Sequence, residues 1–347
     1  MSIVVMGGSF NPPTAAHLAV MKTALDAVNA RTGFFIPVGF PYLKRKMMKA
    51  GQSHLSLSSE LRVRMLEAMT ASDERMRIFT EAMDQPYSDD VGMMRLMRDR
   101  YPDEELYYVA GADKLDLLDH FAEKGTFFEI CRCILYARDC GRLEEEIAAR
   151  GHLAPHRDSL ITVGTPAGLE GVSSTAIREH LFDVDAVIEM LHPSVVPILR
   201  ELRQQDYPEE ILQFRDEYAF LSNGFPAEVT YGGITYPCAA SAFLASKCEE
   251  EADRKTIARM NPDKAKQKYA AKQGSPAWEA RKTEVMEEIV RLKFSQNPEL
   301  VRRLIETGNL KLINGAKKDT FWGVDLNTWE GENRLGTILM KVRTEET

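Results

Sequence analysis

Apolar and polar positions follow two regimes along the chain. Through the first 200 residues, short unbroken apolar runs occur at Ile3 to Met6, Phe34 to Val38, Met76 to Thr80, Leu106 to Ala110, Cys133 to Ala137 and Leu160 to Val163. Unbroken runs of this length are the signature of strands covered on both faces. Between them lie stretches of helical period, at Leu18 to Val28, Ser59 to Met69, Val91 to Arg100 and Leu143 to Arg150. Strand alternating with helix predicts an α/β domain, doubly wound around a parallel, Rossmann-like sheet. In such sheets ligands bind beyond the carboxyl ends of strands, where Gly7, Gly39 and Gly111 fall.

A last helix after His192-Pro193 decays into the polar Gln204-Gln205-Asp206-Tyr207-Pro208-Glu209-Glu210, and the pattern then changes class. The expected division is a first domain over 1–205, a linker over 206–212 and a second domain over 213–347. Glu228 to Tyr231 and Ile234 to Tyr236, joined by Gly232-Gly233, read as a hairpin. Helical patterns follow at Ala239 to Cys248, Trp278 to Phe294 and Pro298 to Glu306. A short apolar run at Leu310 to Ile313 then precedes a final helix from Arg334 to Arg343. The second domain is therefore expected to be α-rich α+β, and it holds all three tryptophans.

A chain of 347 residues with 44% hydrophobic content can build two proper cores. The net charge of −8 argues against a nucleic-acid surface. No apolar stretch reaches membrane-spanning length and no signal-peptide pattern precedes Ile3, so a cytoplasmic location is expected, with the nucleus left open. Five cysteines argue against a disulfide framework. Cys131, Cys133 and Cys140 lack a second pair or a nearby histidine to complete a zinc site and read as small apolar residues.

The chemistry sits in two motifs far apart. Gly7-Gly8-Ser9-Phe10-Asn11-Pro12-Pro13-Thr14-Ala15-Ala16-His17 reads as strand, glycine turn and helix start, a place suited to phosphate. Val172-Ser173-Ser174-Thr175-Ala176-Ile177-Arg178 brings hydroxyls and a guanidinium to a second helix start. Together they resemble the nucleotidyltransferases that join ATP to a mononucleotide, in particular the nicotinamide and nicotinate mononucleotide adenylyltransferases. Thr14 replaces a frequent histidine of that family and Ala16 a frequent glycine. The resemblance implies catalytic roles for His17 and Arg178. It implies ATP contacts from Gly8, Ser9, Phe10, Thr14, His17, Ser173, Ser174 and Arg178, with magnesium carried on the ATP phosphates. Lys44 in the segment Pro37 to Lys46, Asp113 in Gly111-Ala112-Asp113, and Phe121 as a stand-in for a ring-stacking tryptophan are implied mononucleotide contacts.

In the second half, Phe214 to Asn223, Tyr236-Pro237, Lys247, Lys293-Phe294, Asp319 to Gly323 and Gly331 to Arg343 resemble the NADAR, or YbiA-like, domains. That family includes N-glycosidases acting on ribosyl compounds. The resemblance implies an NAD- or ADP-ribose-like ligand and a pocket formed by Asn223, Lys247, Trp322 and Asn333. Ala240 and Asn314 stand where the family carries acids. Slow N-glycosidic cleavage, or binding alone, is therefore expected. A non-catalytic sensor of NAD or ADP-ribose, and an adenylyltransferase for another nucleotide phosphate, are the competing readings; homo-oligomerisation is left open.

Overall fold

The computed structural model describes residues 1–84, 89–137, 140–169 and 171–346. Contacts divide the chain into a unit spanning Met1–Tyr207 and a second from Pro208 onward.

The first unit is built on six parallel strands: β1 (Ser2–Gly8), β2 (Thr32–Pro37), β3 (Met76–Ile78), β4 (Glu105–Gly111), β5 (Arg132–Ala137) and β6 (Leu160–Gly164). Their order across the sheet is β3-β2-β1-β4-β5-β6. Each apolar run of the first 200 residues is thus a strand. Val5 pairs with Phe34 of β2 on one side and Tyr108 of β4 on the other. The order reverses between β1 and β4, which opens a crevice past their carboxyl ends.

Strand residues alternate between two cores, since successive side chains leave opposite faces. Val4, Met6, Phe35, Tyr107 and Val109 pack one face with helices α1 (Ala15–Ala27), α2 (Phe40–Lys49) and α3 (Ser59–Thr70). Ile3, Val5, Phe34, Leu106 and Tyr108 pack the other with α4 (Asp90–Arg100), α5 (Leu115–Glu123), α6 (Phe127–Ile130) and α7 (Cys140–Ala148). Helices α8 (Ser174–Arg178) and α9 (Val196–Arg200) complete the unit. Cys131 and Cys133 are buried free thiols within the second core, as small apolar residues should be.

The second unit contains β7 (Glu210–Ile211), the hairpin β8 (Val229–Tyr231) and β9 (Ile234–Tyr236), and helices α10 (Ala239–Ser246), α11 (Glu251–Arg259), α12 (Pro262–Tyr269), α13 (Pro276–Ser295) and α14 (Pro298–Glu306). Short strands β10 (Lys311–Leu312), β11 (Gly315–Ala316) and β12 (Val324–Asp325) precede α15 (Arg334–Glu345). Glu210 and Ile211, expected in the linker, instead pair with Lys311 and Leu312. Ile211 is buried in this unit's core, and burial draws the segment into the sheet. Thr347, the expected end of the domain, lies outside the described residues. No helix among the described residues is long and apolar enough to cross a membrane.

Candidate active site

The two motifs meet. The Arg178 guanidinium donates from Nη1 to the Asn11 carbonyl at 2.9 Å, and the Ser174 hydroxyl donates to the Pro12 carbonyl at 2.7 Å. Arg178 Nε and Nη2 also donate to Gln52 Oε1 (3.2 Å) and Thr175 Oγ1 (3.0 Å). Asn11 is wholly buried; it donates to the Leu55 carbonyl and accepts from the Leu57 N–H. The first turn is thereby tied both to the second motif and to the segment preceding α3. Beside Arg178 a cavity of about 510 Å³ opens, bordered by Gln52, His54, Glu179 and His180.

His17 is held in one orientation by the helix cap. Thr14 caps α1, its hydroxyl accepting from the His17 N–H. The Thr14 N–H donates back to His17 Nδ1 at 3.0 Å, and the Thr14 hydroxyl lies 2.7 Å from the same nitrogen. A ring nitrogen that accepts a backbone N–H carries no proton, so the proton of the neutral ring sits on Nε2. Burial first, and then the neighbouring Lys46 ammonium, push the imidazole pKa down to about 4. His17 is thus a neutral donor at physiological pH. The Phe10 ring supports it edge-on, with centroids 5.0 Å apart.

These contacts correct two expectations. Phe10 and Thr14, expected to touch ATP, are 1% exposed, and their side chains are spent on supporting and capping His17. Gly8 has a related reason for its residue type. A Cβ there would lie 2.9 Å from the Phe10 ring, which fills the space over it. Ser173 caps α8 through its hydroxyl and is exposed. Ser9 accepts from the Lys46 ammonium at 3.2 Å.

Lys44 is also corrected. Its ammonium is buried and donates to the Ser53 carbonyl at 2.8 Å, so it closes the end of α2 rather than facing a phosphate. Lys46, two residues on, takes the exposed position. Although the side chain reaches solvent, crowding around its ammonium removes water from it and, with Lys114 and Arg178 nearby, lowers its pKa from the usual lysine value, against the opposing pull of Asp90 and Asp113. Lys114, also missed from sequence, bonds Asp90 (2.9 Å) and the Tyr108 hydroxyl (3.1 Å). Asp113 is exposed just past the end of β4, within electrostatic range of Lys46. A chain of net charge −8 thus concentrates Lys46, Lys114 and Arg178 around one crevice, a local field that suits an anion.

Phe121 borders neither of the two cavities at the strand ends. It packs on Phe127, centroids 5.0 Å apart, in the core beneath α5. A separate cleft at the strand ends is bordered by Gly7, Val38, Gly39, Asp89, Asp90 and Met93.

In the second unit, the Asn223 carbonyl accepts from the Ala240 N–H at 2.8 Å, while its buried Oδ1 has no partner among the described residues. Trp322 meets the edge of Phe243, one turn beyond Ala240 on α10, with centroids 5.4 Å apart. Asn223 and Trp322 therefore both contact α10, one at its first backbone turn and the other at Phe243. Lys247, at its end, donates to the Ala270 carbonyl. Asn333 departs from expectation. Its amide accepts from the Asn314 N–H (2.9 Å) and donates to the Leu312 carbonyl (2.8 Å), so it staples β10 to α15 and has little left for a ligand.

Fold and crevice define a nucleotidyltransferase joined to a second, helix-rich module. The chain belongs to the cytidylyltransferase-like family, whose model matches residues 5–180, and carries a NADAR domain over residues 203–345. It is 30% identical over 156 residues to the N-glycosidase YbiA of Escherichia coli, covering 43% of this chain and 97% of that protein. A stretch of 78 residues is 42% identical to an N-glycosidase of Acanthamoeba polyphaga mimivirus; it covers 20% of this chain and 46%, about half, of that protein. A probable nicotinate-nucleotide adenylyltransferase of Clostridium botulinum is 26% identical over 180 residues, covering 51% of this chain and 85% of that one. The chain is accordingly an enzyme with a nucleotidyltransferase domain and a domain of the NADAR family.

Proposed function

We propose that the first unit transfers the adenylyl group of ATP to nicotinamide or nicotinate mononucleotide, giving the dinucleotide and pyrophosphate. A 5′-phosphate oxygen of the mononucleotide attacks the α-phosphorus in line, and the bond to pyrophosphate breaks. No covalent enzyme intermediate is required, so the protein must position two phosphates and meet the charge that develops between them. His17 donates Nε2–H to an α-phosphoryl oxygen. Lys46 and Arg178 neutralise the departing pyrophosphate, with the Ser173 hydroxyl beside them. Asp113 and the cleft at Gly7 and Gly39 take the acceptor's ribose and base. Magnesium carried on the triphosphate oxygens would add to this charge neutralisation.

The observation that carries this reading is the closure of Arg178 and Ser174 onto Asn11 and Pro12, which ties a fixed guanidinium to the same turn that leads into the neutral, oriented His17. The activity for which the Clostridium relative is named supports the acceptor class. Pyrophosphate release from ATP, measured with nicotinamide mononucleotide, nicotinate mononucleotide and other nucleoside monophosphates, tests it. Release with either pyridine nucleotide supports the proposal, and release only with another acceptor replaces it.

The second unit, in this reading, binds an NAD- or ADP-ribose-like ligand beside α10, where Asn223 and Trp322 contact it, and cleaves N-ribosyl bonds slowly. Ala240 and Asn314 offer no carboxylate to activate water or steady an oxocarbenium ion, and losing one such group costs about 10²- to 10⁴-fold. Base release by the full chain, compared with an Ala240→Glu, Asn314→Glu variant, tests this. Fast release by the unmodified chain would contradict it.

A further inference from the structure

Arg62, on α3, is 0% exposed and has no carboxylate partner among the described residues. Its Nη1 donates to the Ser9 carbonyl at 3.0 Å and Nη2 to Ser59 Oγ at 3.3 Å, while the buried Nε has no acceptor among the described residues. Burial alone pulls its pKa to about 10, which leaves it charged at neutral pH. A buried ion without a counter-charge costs several kcal/mol. Holding one backbone carbonyl does not require that charge, because a neutral amide could donate to the Ser9 oxygen at lower desolvation cost.

The charge therefore wants an anion that the described residues do not supply. Ser9 is the contact point. Its carbonyl takes Arg62 from beneath and its hydroxyl takes Lys46 from the crevice side. The guanidinium thus holds the backbone of the same residue whose hydroxyl is bound by Lys46, one of the cations assigned above to phosphates.

We propose that Arg62 is a positioning residue for adenylyl transfer, fixing the Ser9 carbonyl and supplying buried positive potential at the turn that receives the triphosphate. The inference rests on the adenylyl-transfer reading of the first unit. Bound ATP would supply the counter-charge that the described residues do not. The residue touches no substrate; it acts through Ser9, through Lys46 bound to Ser9, and through its field.

Arg62→Gln retains a donor for Ser9 but deletes the charge, and Arg62→Lys retains the charge. Kinetics are normalised to folded protein, and melting curves are recorded on the full chain. The expected result is a fall of kcat by on the order of 10- to 100-fold in Arg62→Gln, the range for losing an interaction of a charged group. Its melting temperature should not fall below that of the wild type, and KM for the mononucleotide should stay within about threefold. Arg62→Lys should recover most of kcat. A purely structural role would reverse the pattern, with lower melting temperature, unchanged kcat and no advantage of lysine over glutamine, and would overturn the inference. Wild-type protein that releases no pyrophosphate with any acceptor refutes the underlying reading as well, whereas active wild type with an indifferent Arg62→Gln refutes this inference alone.

Discussion

Removing His17 should cost far more than loosening its cap, and the structure sets the ratio. His17→Ala deletes the Nε2–H donor. Losing one donor to developing charge in a preorganised site costs about 10²- to 10³-fold in kcat, or roughly 3–4 kcal/mol. Thr14→Val removes only the hydroxyl, while the Thr14 backbone N–H still donates to Nδ1 and still dictates the Nε2–H tautomer. That variant should lose about 1 kcal/mol of stability with the cap and no more than about tenfold in kcat. The pH profile sharpens the test. Because the ring is neutral above about pH 4, kcat should be flat from about pH 5 to 7, and the acid limb should appear only as pH falls toward 4 and the ring gains a second proton. Steady-state pyrophosphate release in matched buffers measures all three quantities. An acid limb near the ordinary histidine value of about 6.5, present in the wild type and absent in His17→Ala, would refute the neutral-donor argument. Equal losses in Thr14→Val and His17→Ala would refute the tautomer argument.

Lys46→Met should lower kcat/KM by on the order of 10- to 100-fold with a normal melting curve, whereas Lys44→Met should lower stability and leave KM unchanged; the opposite pattern would return Lys44 to the site. All three tryptophans lie in the second unit, so their fluorescence reports its unfolding separately. Asn333→Ala, which breaks two backbone bonds and places alanine at a φ of 49°, should destabilise that unit by about 3 kcal/mol, and lost ligand affinity without lost stability would contradict the staple. Lys293 is wholly buried, donates to the Phe220 and Ser222 carbonyls, and has its pKa pushed down by burial to about 7. Between about pH 7 and 10 the unfolded chain holds more protons at this position. Stability should therefore rise with pH, relative to Lys293→Met, by about 1.4 kcal/mol per unit, and should lose that gain as pH falls back to 7. A difference independent of pH would show that Lys293 keeps its usual pKa.

The sheet was legible because strands covered on both faces leave unbroken apolar runs, and the crevice because glycines follow three of them. Lys44 was misplaced because a helix was not foreseen. Phe40 to Lys49 looks like a proline-containing basic loop, yet a proline in the first turn is compatible with a helix. Once α2 forms, the buried Leu43 and Met47, four apart, mark its inner face, which carries Lys44 inward and leaves Lys46 outside. Arg62 was similarly visible in principle, since it shares the 3.6-residue stripe of Met65, Leu66 and Met69. Phe10, Thr14 and Asn333 are polar or aromatic residues in motifs, and only the hydrogen bonds and burial reveal that they serve the backbone. Helices α11 and α12 are too polar for apolar period to announce them, with Ile257, Ala265 and Tyr269 as their buried contacts.

The most direct test follows phosphorus itself. Full-length protein with ATP, magnesium and a pyridine mononucleotide is monitored by phosphorus NMR. The account predicts equimolar appearance of pyrophosphate and a new phosphoanhydride-linked dinucleotide, with the rate reduced at least about 10²-fold in His17→Ala. Formation of ADP or AMP without dinucleotide, or an undiminished rate in His17→Ala, would contradict it.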